Sequence, residues 1–156
     1  TSRGLGDVYK RQCLIAANFA ISAVLMMKFA AEAAALFDTA EIIELHHDEK
    51  IDAPSGTALA TARMMQPGEH GWADDPTQIE EPEGARGGQG PNGVRIHSVR
   101  MRGMTAHQEV ILGAQGQTLS LRQDSYDRTS FMPGVVLACR RIKEASGLIV
   151  GLEALL

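Results

Sequence analysis

The spacing of apolar positions changes several times along the chain, and each change marks an element. Residues 13–17 (CLIAA) are continuously apolar and short, as at the end of a buried strand. Residues 18–37 are rich in Ala, Leu and Met and apolar on most sides, which predicts a buried helix. Residues 41–46 (EIIELH) form a short β-branched run, hence a strand, followed by a polar loop over 48–54. Ser55 then has the chemistry of an N-cap, with a helix running to about Gln66. Three further strands are predicted over 94–101, 106–112 and 118–123. Helical spacing returns over 131–144, with an exit at Ser146-Gly147. The tail LIVGLEALL is apolar and ends without a polar cap.

Between the second helix and the later strands, residues 67–92 differ in kind. They hold six acidic residues (Glu69, Asp74, Asp75, Glu80, Glu81, Glu83) and four prolines, so they read as a long surface excursion that need not be ordered throughout. The order of elements predicts an α+β fold, a mixed sheet with helices on one face. The helices are too few to cover both faces, and an uncovered apolar face points to an oligomer interface.

Composition narrows the class. The 156 residues are 44% hydrophobic and 4% aromatic with a net charge of −4, an ordinary soluble balance with no basic excess for nucleic acid. Cys13 and Cys139 have neither metal-ligand spacing nor a disulfide-rich context, which suits reduced thiols in a cytoplasm. Residues 1–12 (TSRGLGDVYKRQ) lack an initiator Met and any periodicity, and they read as a non-native or assembly remnant. Lys10 and Arg11, the apolar run behind them and Ala31-Glu32-Ala33 imitate a secretory leader, but Asn18 and Ser22 interrupt the run. It is also too interrupted to span a membrane.

Two segments carry candidate chemistry. Residues 88–93 (GQGPNG) spell G-x-G-x-x-G but precede a strand and contain Pro91, so they form a loop rather than a dinucleotide site. The segment ELHHDEKIDAPSGTAL, residues 44–59, is more informative. A strand ending at His46 delivers its side chains to a sheet edge, and His46 and His47 point to opposite sides if the strand is still extended there. An imidazole can hold or supply a proton near neutrality, and Lys50 adds a fixed charge. Ser55 opens a helix whose first N–H groups, at Gly56 and Thr57, form an anion nest beside a hydroxyl. HHDEK is not H-E-x-x-H and has no third ligand at helical spacing, so no metal is expected. By residue type alone, a structural histidine and a merely capped helix start both stay open.

The segment HHDEKIDAPSGTA closely resembles the signature of the dihydrodipicolinate reductases, enzymes of the diaminopimelate route to lysine. Residues 16–19 (AANF), 106–110 (AHQEV) and the run DSYDRTSFMPGV extend the likeness over residues 13–156, in a form similar to the actinobacterial one. The resemblance implies His46 and Lys50 as catalytic, with His47, Gly56 and Thr57 binding substrate. It also places Ala16, Ala17, Asn18 and Phe19 against the nicotinamide of NADPH or NADH. Arg128 is a further candidate for the positive field. The implied substrate is a cyclic unsaturated dicarboxylate, the implied assembly a homotetramer, and the implied setting the cytoplasm, with no nucleic-acid or membrane partner.

The implied organisation is the last strand and hinge of a missing Rossmann-like dinucleotide-binding domain over 13–19. A substrate-binding and oligomerisation domain follows over 20–134. Residues 135–156 are then a C-terminal helix and tail packing back on the missing domain. The glycine-rich phosphate loop of that domain has no counterpart in this sequence, so the chain by itself is expected to be inactive. The competing expectation is a non-catalytic module that binds a small dicarboxylate or only oligomerises.

Overall fold

A computed structural model of the protein describes residues 12–156. The expectations for residues 1–11, whether remnant or leader-like, lie outside the described residues.

The fold is organised around strand β2, Thr39–His46, which is paired on both sides. It runs parallel to β4 (Arg95–Arg100) and antiparallel to β5 (Ala106–Ala114), with β6 (Gln117–Ser125) beyond β5 and the two-residue β3 (Gly88–Gln89) at the other edge. The sheet is therefore mixed. The side-chain period of two puts Ala40, Ile42 and Glu44 on one face, beside Ile96, Val110 and Leu112. Helix α1 (Ile21–Ala34) and helix α2 (Gly56–Met64) cover that face, contributing Met26, Met27, Ala30, Ala58 and Ala62 to a closed core with Met65. The small alanines let both helices approach the sheet closely.

Helix α1 starts later than its apolar pattern suggests. The Asn18 side-chain oxygen accepts the Ala20 N–H at 2.8 Å, a local turn that competes with helix and delays its first residue to Ile21.

The excursion over 67–92 is more firmly attached than its composition predicts. The Ala73 N–H donates to the Asp38 carbonyl, and the Trp72 indole N–H donates to the Asn92 carbonyl at 2.8 Å. Asn92, at a left-handed φ of 54°, turns its amide onto the C-terminal carbonyls of α2, sharing two N–H groups among Ala62, Arg63 and Met65 at 3.0–3.1 Å. The G-x-G-x-x-G stretch contains β3 and a tight turn, and no helix of α type follows it.

Helix α3, Met132–Arg141, stands apart from the layer that covers the sheet. It does not cover the sheet. It packs with β1 (Cys13–Ile15), β7 (Leu148–Val150) and a closing 3-10 turn, around Val24, Ala138, Leu152 and Leu155. Strands β1 and β7 form a separate parallel pair. The apolar tail is thus partly covered by the chain's own α1 and α3, at Leu152 and Leu155, while Leu148, Val150 and Leu156 stay exposed. No helix among the described residues is long and apolar enough to cross a membrane.

Among the described residues no helix lies on the other face of the five-stranded sheet. Ile43, Leu45, Val99 and Ile111 are half-buried there, among ion pairs joining Glu41 to His97 and Arg122 to Glu109 and Asp124.

Among the described residues one charged side chain lies wholly inside. Glu44 has no exposed surface, and it accepts both arms of the Arg100 guanidinium at 2.7 and 3.0 Å. Burial pushes its carboxyl up, but hydrogen bonds from His46, Arg100 and Ser98 together outweigh burial and hold it at about 2, below the ordinary 4.5. The unfolded chain therefore binds this proton more readily than the folded one between those values. The stabilisation is complete above pH 4.5 and is lost as pH falls through 2.

Denaturant unfolding at stepped pH is expected to show stability falling by a few kcal/mol from Glu44 alone across that window, with Glu41, Asp75, Asp124 and Asp127 shifting in the same direction. A flat profile there would contradict the buried pair. Separately, Asn92→Ala should cost roughly 1–3 kcal/mol of unfolding free energy, because it strips the cap from α2 and strains a left-handed backbone. A thermal midpoint equal to the parent's would show that the excursion is not held there.

Candidate active site

At its carboxyl end β2 opens into a cleft of about 450 Å³. Five segments wall it: the 17–19 turn, the loop after His46, the start of α2, the start of β5, and the turn at Arg128 and Phe131. Seven of the nine residues singled out from sequence line it: Ala17, Asn18, Phe19, His46, His47, Lys50 and Thr57. Ala16 instead packs into the smaller core beside β7, and Gly56 stands just outside the wall as the first residue of α2. Arg128 lines the cleft and makes no salt bridge among the described residues, so the strand-end ion pair that could have explained it is absent there.

His46 is held from behind. Its Nδ1 lies 2.5 Å from Oε2 of Glu44, two residues earlier on the same face of the strand, and Nε2 has no hydrogen-bond partner among the described residues. His107 makes the contrast. Its Nδ1 meets Asp124 at 2.7 Å and its Nε2 accepts the Thr105 N–H at 3.2 Å, so both nitrogens are committed and the ring is structural. His46 keeps one nitrogen for the cleft.

His47 does not point away from His46. The strand stops at His46, and the Lys50 N–H donates back to the His47 carbonyl at 3.2 Å, so the backbone turns and both rings face one cleft. Lys50 reaches Asp52 with its Nζ 2.7 Å from Oδ1, and that hydrogen bond leads the pull of the Asp52 carboxyl below its usual range. The Arg100 guanidinium also donates to the Asp52 carbonyl at 2.7 Å, which ties the Lys50 loop to the sheet.

The helix start behaves as its residues suggest. Ser55 caps α2 by accepting the Ala58 N–H at 3.1 Å, while the N–H groups of Gly56 and Thr57 have no helical acceptor. Asn18 donates to the Thr57 hydroxyl oxygen at 3.2 Å, which leaves the hydroxyl hydrogen free to donate outward. A side chain built at Gly56 would meet nothing within 4 Å, so the space there is open to a ligand.

Lys50, Arg128 and a helix N-terminus make the cleft electropositive, since the nearest buried carboxylate is neutralised by Arg100, and the two imidazoles add hydrogen-bonding nitrogens. Size does not single it out. A cleft of about 460 Å³ lies between Trp72 and the sheet, but its charges are already spent on each other, Arg86 on Glu41 at 2.6 Å and Arg95 on Asp75 at 2.9 Å. Among the described residues no three His, Cys, Asp or Glu side chains converge as metal ligands would.

The reading from sequence missed Thr105, Ala106 and Phe131, which tertiary folding alone brings to the cleft. It also missed Glu44 and Arg100. Glu44 left a usable signal, because positions i and i+2 of a strand share a face.

Comparison with known proteins agrees over most of the chain. A family described as "Dihydrodipicolinate reductase, C-terminus" matches residues 22–156. A 4-hydroxy-tetrahydrodipicolinate reductase of Listeria innocua is 55% identical over 99% of this chain and 59% of its own length. One from Mycobacterium ulcerans is 56% identical over 92% of this chain and 58% of its own length. The dipicolinate-bound dihydrodipicolinate reductase from Paenisporosarcina sp. TG-14 superposes with a TM-score of 0.83 at 50% identity, over 92% of this chain and 54% of that one. The chain thus spans little more than half the length of these relatives. By sequence and by fold, it belongs to the dihydrodipicolinate reductase family and corresponds to that family's C-terminal part.

Proposed function

We propose that this chain supplies the substrate-binding and proton-transfer half of a 4-hydroxy-tetrahydrodipicolinate reductase in the diaminopimelate route to lysine. The observation that carries the reading is the pairing of one uncommitted imidazole nitrogen, on His46, with an anion-binding helix start across a single electropositive cleft. A cyclic dicarboxylate suits it. One carboxylate meets the N–H groups of Gly56 and Thr57 and the free Thr57 hydroxyl, Lys50 and Arg128 supply the remaining positive field, and His47 is a further hydrogen-bond partner of the substrate. His46 handles the proton that completes the reduced product, and Lys50 assists it.

The residues present fit the nicotinamide end of NADPH or NADH and no more of the cofactor. Ala17 is exposed and small, and Asn18 is fixed from both ends of its amide, so residues 16–19 offer a firm, open rim for a flat ring. When bound, the nicotinamide supplies the hydride. Nothing among the described residues forms a strand, glycine turn and helix for the phosphates, so these 156 residues alone bind the dicarboxylate without reducing it. The non-catalytic alternative is therefore the behaviour of the isolated chain. Residues 13–19 act as the hinge to a nucleotide-binding domain, residues 20–134 as the substrate and assembly domain, and residues 135–156 as the part that packs back. A biosynthetic reductase of this kind works in the cytoplasm.

The helix-free sheet face is proposed to close against further copies of the chain, giving a homo-oligomer and, in full, a tetramer. Its half-buried Ile43, Leu45, Val99 and Ile111 gain from leaving water, and its charges are already paired within the chain.

In a full-length reductase carrying this domain, His46→Gln should lower kcat by roughly 10²–10⁴-fold with a smaller change in KM. Thr57→Val should chiefly raise substrate KM, by the equivalent of about 1.5–3 kcal/mol, because it removes a donor to a carboxylate and leaves the proton path intact. If His46→Gln raised KM at unchanged kcat, the imidazole would be a binding group only. For the assembly, sedimentation should show an oligomer at about tens of micromolar that Ile111→Arg shifts toward monomer; a stable monomer in the parent would remove the interface.

A further inference from the structure

The cleft residues discussed above all reach toward solvent, but the geometry behind them is equally specific. Glu44 is fully buried, and its two oxygens are occupied by Arg100, at 2.7 and 3.0 Å, and by His46 Nδ1, at 2.5 Å. Arg100 also donates to the Val99 carbonyl at 2.8 Å and to the Asp52 carbonyl at 2.7 Å. Its buried Nε–H has no partner among the described residues. An arginine that leaves one donor unsatisfied is being held in this orientation by its other contacts.

We propose that Glu44 and Arg100 are positioning residues, which fix the His46 ring with its proton on Nδ1 and so reserve Nε2 for proton exchange with the substrate. The proposal rests on the reading of His46 as the proton-handling group. A carboxylate clasped by a guanidinium fork has no hydrogen to give, so the short contact to His46 requires the hydrogen to sit on Nδ1. The ring can then neither flip nor exchange tautomers without leaving the buried carboxylate unpaired on that side. Arg100 does a second job through the Asp52 carbonyl: it ties the loop bearing Lys50 to the same anchor. One ion pair thereby anchors both the imidazole and the backbone of the loop that carries the ammonium.

The informative variant is Glu44→Gln. The fork of Arg100 demands an oxygen, so the introduced amide turns its oxygen to Arg100 and its NH₂ group to His46. Nδ1 must then accept, and the ring proton moves to Nε2. Nitrogen-15 NMR of the histidine side chains in this chain reads the change directly. In the parent the neutral His46 ring should carry its hydrogen on Nδ1, and in Glu44→Gln on Nε2. Because the parent measurement needs no variant, it decides the structural part even if Glu44→Gln does not fold. A parent ring protonated on Nε2 overturns the proposal.

The catalytic part is read in a full-length reductase carrying this domain. Glu44→Gln should lower kcat at least about 10²-fold while substrate KM stays within about threefold, since no ligand of the substrate is removed. Arg100→Lys keeps the charge but loses the fork, and should raise KM as well as lower kcat, because the Lys50 loop is released. An inverted tautomer with unchanged kcat in Glu44→Gln, alongside a large loss in His46→Gln, overturns the positioning role and leaves His46 as the proton group. Unchanged kcat in His46→Gln instead removes the reading of His46, while the tautomer result still stands or falls by itself.

Discussion

A carboxylate with no exposed surface constrains much of this structure. Burying Glu44 alone would cost several kcal/mol, and removing either partner from such a pair typically costs about 3–5 kcal/mol. The partners come from different elements: His46 from β2, Arg100 from β4, and the loop through its Asp52 carbonyl. They converge only in the observed parallel register, which sets Glu44 opposite Ser98 and His46 opposite Arg100. A slip of one residue would turn Glu44 to the helix-free face and Ile43 into the place of a charge. The ion pair therefore acts as a register lock at the point where the central strand delivers its histidine.

The cleft owes its polarity to a division between groups that are neutralised and groups that are not. The carboxylates near it, Glu44 and Asp52, each have a cation of the chain beside them, and Asp124 is paired farther along the sheet. Among the described residues Arg128 and the first turn of α2 have no such partner, so the positive potential is concentrated where the wall is open. Lys50 lies between the two groups, paired with an exposed Asp52 that water or an incoming anion can displace at small cost.

How far the sequence could be read follows from where each interaction partner lies along the chain. The Ser55 cap and the strand before His46 were legible because their causes are local: a hydroxyl three residues from its donor and a β-branched run. The order of the excursion was not legible, since its composition argues for a loose loop. Its attachment depends on Asn92 meeting carbonyls 27–30 residues away. The amphipathic spacing of α3 predicted a helix but not the surface it would choose, and it packs with β1 and β7 instead of the sheet. Glu44 looked like an ordinary polar position in an alternating strand until Arg100, 56 residues later, gave it a reason to be inside. The cleft lining from Thr105 and Phe131 likewise depends on tertiary contact alone.

Strands β1 and β7 have a consequence of their own. Two parallel strands of three residues each are the least self-sufficient form of sheet, and among the described residues neither outer edge of the pair is covered by another strand. Ile15, Leu148 and Val150 present exposed apolar side chains on one face of that pair. Such an edge offers a ready template of N–H and C=O groups to any extended segment that meets it, with no charge or proline to refuse the pairing. Whatever covers these two edges also protects against strand-to-strand aggregation, and left uncovered they carry that vulnerability in the open.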